Sequence, residues 1–219
     1  MGPSLGCPGA CRCFDGLVLF RSNFRQSSIG DRSYWDAAYA AGTYKDTYEW
    51  LQTGPELWPH IEKAIGGRPN LKFVHVGCGN SDLGKCIAEA GHLVVNVDYS
   101  SVVIEAMRNK FPQLEWLEAD CAVPGALGQE GSYDICIDKG GLDALVESYT
   151  EHMMGQARAM VAEIARVLKP GGMYLLFSNG SEHRMALLEK HFAKIDTDYC
   201  EGFSMDLYQK FVYVFLATK

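Results

Sequence analysis

Two hydrophobic periods alternate along most of this chain. Short apolar runs at 71–76, 93–97, 114–118, 133–137, 173–178, 192–199 and 210–217 have the length and flanking residues of strands. Between several of them, apolar residues recur at three- and four-residue intervals. The clearest case is 151–168, where Met153, Ala157, Met160, Val161, Ile164 and Leu168 share a helical face and Pro170-Gly171-Gly172 stops the run. Helices are also predicted at 82–90, at 101–110 with Val102, Val103, Ala106 and Met107 inward, and at 182–191. Strands alternating with helices imply an α/β fold, with a mostly parallel sheet covered by helices on both faces. The last two strands have no helix between them, so they are expected to pair antiparallel.

Upstream of the first strand the pattern changes character. Tyr34-Trp35-Asp36-Ala37-Ala38-Tyr39 reads as a short helix with Trp35 and Tyr39 on one side. Tyr48-Glu49-Trp50-Leu51 follows, and Leu57, Trp58, Ile61 and Ile65 mark an amphipathic helix that ends at Gly66-Gly67. Residues 1–30 show no sustained period. Arg12, Arg21 and Arg25 suggest a transit-type segment, but Asp15 interrupts it, and Gly6 stands where a myristoylation signal wants Ser or Thr. Cys7, Cys11 and Cys13 lack a fourth ligand at zinc-finger spacing. The expected division is a variable or disordered tail over 1–30 and a single domain over 31–219, with a helical cover at 31–66 and a ligand-binding core at 71–219.

Composition narrows the function classes. The chain has 219 residues, 47% hydrophobic and 21% charged, which is ordinary for one globular domain. A formal charge of −7 argues against a broad nucleic-acid surface, and no apolar run approaches the roughly 20 residues that span a bilayer. Cysteines within predicted strands and helices fit a reduced compartment. A cytoplasmic monomer is expected.

The candidate chemistry sits at the carboxyl ends of the predicted strands, where open α/β sheets bind ligands. Gly77 and Gly79 end the first strand, Asp98 the second, Asp120 the third and Asp138 the fourth. Glycines let a ligand approach the main chain, and the start of the next helix suits an anionic group of that ligand. Asp98 follows Gly77 at the spacing at which an acid reaches ribose hydroxyls. That leaves a dinucleotide and a nucleoside-type methyl donor open. Asp82 occupies the position where a dinucleotide fingerprint wants Gly or Ala, and an acid there opposes a pyrophosphate. The ligand's anion is then better read as a single carboxylate. Asp120, in Glu118-Ala119-Asp120-Cys121, offers an acceptor to an adenine amino group. Arg166-Val167-Leu168-Lys169-Pro170-Gly171-Gly172 resembles the turn of class I methyltransferases, which favours S-adenosyl-L-methionine.

A closer resemblance follows from Tyr34–Tyr39, Tyr48-Glu49-Trp50, Val76-Gly77-Cys78-Gly79-Asn80-Ser81, Val97-Asp98-Tyr99-Ser100-Ser101-Val102-Val103 and Ile137-Asp138-Lys139-Gly140-Gly141-Leu142-Asp143-Ala144-Leu145, in that order. Together they resemble the methyltransferase-like family that includes the elongation factor 1-alpha lysine methyltransferases, over about residues 33–219. The resemblance implies a Rossmann-like seven-stranded sheet, mostly parallel with an antiparallel C-terminal strand. It also implies transfer of methyl from S-adenosyl-L-methionine to a lysine of a protein such as a translation elongation factor. Trp35, Tyr39 and Trp50 would cover the cofactor, Gly77 and Gly79 meet its amino-acid portion, and Asp98 with Tyr99 hold the ribose and flank the adenine. Asp120 and Cys121 would meet the adenine edge, and Lys139 would lie near the methionine end. Asp138 and Asp143 are the candidates on the acceptor side, with helix and turn capping as their alternative. Gly141 departs from the Thr usual in the family. A small-molecule methyltransferase, a cofactor-binding partner subunit without activity and, last, an NAD oxidoreductase are the competing readings.

Overall fold

The computed structural model describes residues 29–45, 47–147, 150–180, 182–201 and 211–219. Cys7, Cys11, Cys13, the Gly16–Phe20 segment and nearly all of the expected tail lie outside these described residues.

Seven strands form one sheet: β1 (Lys72–Val76), β2 (Leu93–Asp98), β3 (Glu115–Glu118), β4 (Tyr133–Lys139), β5 (Leu168–Ser178), β6 (Lys194–Glu201) and β7 (Phe211–Thr218). Their order across the sheet is β3-β2-β1-β4-β5-β7-β6. The first five are parallel, and β7 runs antiparallel to both β5 and β6. This is the expected architecture. The antiparallel pair follows from the missing crossover helix, since parallel neighbours require a long connection.

Helices α1 (Arg32–Ala40), α2 (Gly54–Ile65), α3 (Leu83–Glu89), α4 (Ser101–Lys110), α5 (Gly141–Val146), α6 (Glu151–Val167) and α7 (Glu182–Leu188) surround it. Alternate strand residues face opposite helical layers. Phe73, Ile135, Ile137, Leu175 and Phe177 pack with Leu57, Ile61, Leu83 and Ile87 of α2 and α3. Val74, Val76, Cys136, Tyr174 and Leu176 pack with Ala157, Val161 and Ile164 of α6. Burial on both faces explains why these strands read as near-continuous apolar runs rather than alternating ones.

Local signals set the helix ends. Thr53 and Glu56 form a reciprocal capping box at the start of α2, and Gly66 ends it at φ 61° in the left-handed region. Two departures from expectation stand out. Helix α5 is shorter than any helix the periodicity reveals, with Leu142 and Val146 buried four apart. Strand β5 begins at Leu168 rather than 173, because the chain enters the sheet before the Pro170-Gly171-Gly172 turn and shifts register there. A Cβ on Gly172 would lie 2.9 Å from the Lys169 carbonyl oxygen, so the turn folds only with glycine.

The chain leaves β1 toward β2 on one side and later returns to β4 on the other. The carboxyl ends of β1 and β4 are therefore the point where the strand order reverses, and a crevice opens there.

Candidate active site

Backbone geometry builds the floor of that crevice. Gly77 and Gly79, leaving β1, have φ 57° and 50°. A Cβ on Gly77 would come within 3.0 Å of the Gly141 Cα, and one on Gly79 within 2.8 Å of the Tyr39 hydroxyl. The loops after β1 and β4 thus pass as close as two glycines permit.

Asp98 ends β2 with 6% of its surface exposed. Its carboxylate accepts the amides of Gly79 and Ser100, each at 2.9 Å. Burial pushes this carboxyl up to about 6, against the pull of those amides. Ser100 caps α4 and donates its hydroxyl to Asp36 of α1, which seats the N-terminal helix over the end of β2. Beyond β3, the Asp120 side chain accepts the Ala122 amide at 2.8 Å and shapes the loop that carries Cys121.

A cavity of about 340 Å³ joins these parts. Trp35, Tyr39, Trp50, Gly77, Gly79, Asp98, Tyr99, Asp120, Cys121, Lys139 and Asp143 all line it. Its aromatic wall is continuous. Trp35 stacks on Tyr39 with centroids 5.9 Å apart and meets Trp50 edge-on, also at 5.9 Å. The Trp35 indole donates to the Ile29 carbonyl at 2.6 Å, and the Tyr99 hydroxyl donates to the Gly30 carbonyl.

Asp138 is the exception among the expected site residues and does not line the cavity. Fully buried, its carboxylate accepts the amides of Gly141 and Leu142 and the hydroxyl of Tyr174. The acceptor-side role anticipated for Asp138 therefore gives way to its alternative, the turn and helix cap. The cause is Gly140, whose φ of 81° turns the start of α5 back onto the strand end. Burial pushes the Asp138 carboxyl up to about 7, opposed by the hydrogen bond from Tyr174. Asp143 borders the cavity but sits inside α5 rather than capping it. It accepts from the Ser178 hydroxyl, the Asn179 amide and the Arg184 guanidinium, so it ties α5 to the end of β5 and to α7.

A second expectation changes at the start of α3. The anion there is the chain's own Glu49, which accepts the Asp82 amide at 2.8 Å and the Ser81 hydroxyl at 2.8 Å. The same carboxylate accepts from the Lys139 ammonium at 2.6 Å, and Lys139 also donates to the Trp50 carbonyl at 2.8 Å. Burial lowers the Lys139 pKa and raises that of Glu49, while their mutual attraction opposes both shifts. The amide that seemed suited to a ligand carboxylate already has a partner.

Comparison with known proteins agrees with this geometry. Residues 73–172 match a family described as a methyltransferase domain. The chain is 32% identical over 171 residues to the eEF1A lysine and N-terminal methyltransferase of Homo sapiens, covering 76% of this chain and 24% of that protein. Over residues 73–172 the chain therefore carries a methyltransferase domain. The chain spans about a quarter of the length of the first relatives it matches. It is also 28% identical over 196 residues to the mitochondrial citrate synthase-lysine N-methyltransferase of Pongo abelii, covering 78% of this chain and 77% of that one. The fold matches magnesium protoporphyrin IX methyltransferase from Synechocystis with bound SAM, at TM-score 0.63, 18% identity and coverage of 86% and 94%.

The sequence reading assigned no role to Glu49, Leu51, Ser81 or Arg184, which the structure brings to the site. Glu49 meets Lys139 across 90 positions and Arg184 meets Asp143 across 41, and no periodicity marks such pairs. The signal available for Glu49 was its place between Tyr48 and Trp50, an acid inside an otherwise aromatic segment.

Proposed function

We propose that this chain transfers a methyl group from S-adenosylmethionine to the side-chain amine of a lysine in a protein. The observation that carries the reading is one cavity that brings together the glycine floor, the buried Asp98 and the wall of Trp35, Tyr39, Tyr48 and Trp50. The cradle fits the cofactor, because Gly77 and Gly79 bring bare main chain to the cavity floor, where a Cβ would collide with Gly141 or Tyr39, and the buried Asp98 carboxylate lines the same cavity. The cofactor, when bound, supplies an electrophilic methyl on a sulfonium. Asp98 would accept from the ribose hydroxyls, Tyr99 flank the adenine, and Asp120 with the Cys121 amide meet its edge. Gly77 and Gly79 would face the methionine tail under Trp35, Tyr39 and Trp50, with Lys139 near that end through its hold on Glu49 and Trp50.

The remaining task of the site is alignment. In-line displacement depends on positioning, which supplies on the order of 7–11 kcal/mol in well-oriented systems. A lysine amine also needs to lose a proton, because with a pKa of about 10.4 only a small fraction is neutral at pH 7. An aromatic wall that keeps water from the amine would disfavour the ammonium form and so promote that loss. Asp143 is held by Arg184, so it acts as a positioning residue for the Ser178–Asn179 rim rather than as a base.

Protein acceptors are supported by the relatives, an eEF1A lysine and N-terminal methyltransferase and a citrate synthase-lysine N-methyltransferase. Elongation factor 1-alpha is the first candidate, and the cytoplasm is the place that goes with it. The net charge of −7 favours a basic protein over nucleic acid as acceptor. Among the described residues no helix is long and apolar enough to cross a membrane. Incubation of the protein with methyl-labelled cofactor and a cell extract, followed by mass spectrometry, tests the proposal. Label on a protein lysine is expected, and label confined to small molecules or nucleic acid would refute it.

A further inference from the structure

The segment joining α1 to α2 is held at the cavity by a costly arrangement. Leu51 has φ 68°, a left-handed conformation that a branched side chain rarely adopts. The Gln52 amide donates to the Trp50 carbonyl across it at 2.8 Å, the i to i+2 bond of the strained, positive-φ form of γ-turn. Lys139 donates to that same carbonyl. One residue earlier, Glu49 holds Lys139, the Ser81 hydroxyl and the Asp82 amide. One carboxylate and one ammonium thereby join three pieces: the aromatic segment, the glycine loop and the end of β4. The side chains of Lys139 and Glu49 are 2% and 13% exposed.

Stability alone gives no reason for this design. A buried ion pair roughly breaks even against apolar residues, and a left-handed leucine costs energy. Strain and buried charge both fall on the wall that carries Trp50 and Leu51, and both of these line the cavity.

We propose that Glu49 and Lys139 are positioning residues, a latch that clamps the strained Trp50–Leu51–Gln52 turn onto the glycine loop and so sets the wall that faces the methionine end of the cofactor. The inference rests on the assignment of the cavity to S-adenosylmethionine, but not on the identity of the acceptor. The latch transmits cofactor contact at the glycine loop to the aromatic segment, because Glu49 touches both ends of the path. Loss of either partner frees the turn to relax, and the cavity wall loses its fixed position.

Calorimetric titration with S-adenosylhomocysteine separates the possibilities, with folding checked by circular dichroism. Wild type should bind; failure there would remove the cofactor assignment rather than the latch. Glu49→Gln and Lys139→Met should each weaken binding by about tenfold or more, and the double variant should be no weaker than the worse single, as expected for coupled residues. Folded single variants with affinity within about twofold of wild type would overturn the proposal, since a merely structural pair would lower the melting temperature and leave affinity unmoved. Should the singles not fold, the double variant, which buries no unpaired charge, replaces them under the same criterion. Hydrogen exchange on wild type gives an independent reading. Addition of S-adenosylhomocysteine should protect the amides of 48–52 together with those of 79–83, and protection of 79–83 alone would overturn the latch.

Discussion

Two strand ends on either side of β1 carry the same residue and use it differently. Asp98 ends β2 and Asp138 lies near the end of β4, both almost wholly buried and each on a strand paired with β1. Asp98 borders the cavity, and its amide partners belong to the loops that shape it. Asp138 faces inward, closed off by Tyr174 and the first amides of α5. The difference comes from the residues that follow. After Asp98, Tyr99 and Ser100 lead directly into α4, leaving the acid at the crevice. After Asp138, left-handed Gly140 folds α5 back over the strand end and caps it with its own amides. A strand-end acid is thus a ligand group or a structural cap according to the backbone beyond it.

The largest effect should come from removing the cap. Asp138→Ala leaves two amides and the Tyr174 hydroxyl without their acceptor, which should cost about 3 kcal/mol of stability. Chemical denaturation measures that loss, while the folded fraction should bind S-adenosylhomocysteine within about twofold of wild type. An equal loss of affinity would erase the distinction between the two acids. Asp98→Ala should do the reverse. The fold should persist, and cofactor affinity should fall by roughly 1.5–3 kcal/mol, as for a lost charged hydrogen-bond partner.

A pH series sharpens the comparison at smaller amplitude. Both carboxyls lie above their ordinary value of 3.8, Asp98 at about 6 and Asp138 at about 7. Between those values and 3.8 the native chain holds protons that the unfolded chain has released, so both groups add stability as pH falls through this window and lose it as pH rises through about 7. These two groups should therefore raise the melting temperature as pH is lowered from about 8 to about 6.5, below which the buried His75, lowered to about 3, opposes them. Affinity for S-adenosylhomocysteine should move the opposite way, declining below about pH 6 as Asp98 takes up a proton. Asp98→Ala should flatten the affinity profile and keep the part of the stability trend due to Asp138. The smallest effect belongs to Asp138→Asn, which preserves an acceptor for α5 and a partner for Tyr174. It should change stability by about 1 kcal/mol or less, read from the denaturation midpoint.

Much of this division was legible in the sequence, but not all. The strands, the order of the glycines and acids, and the antiparallel C-terminal pair followed from period and spacing, because each is a local regularity repeated along the chain. The spacing from Gly77 to Asp98 placed a carboxylate beside the glycine loop, and the Gly79 amide on Asp98 is that placement in three dimensions. What spacing could not separate was Asp98 from Asp138, since both read as an acid after an apolar run. Their difference lies in the φ of Gly140 and in a tyrosine 36 residues further on. Helix α5 is too short to show a period, and Glu49 stood in plain sight among aromatics while its lysine lay 90 residues away. Long-range polar pairs are written by the fold, and only local order is written by the pattern.

The most direct test of the central claim is a calorimetric titration of the wild-type protein with S-adenosylhomocysteine and, separately, with NAD. Saturable one-to-one binding of S-adenosylhomocysteine and no binding of NAD is the predicted result. Binding of NAD, or of neither compound, would contradict the reading of the Gly77–Asp98 crevice as a methyl-donor site.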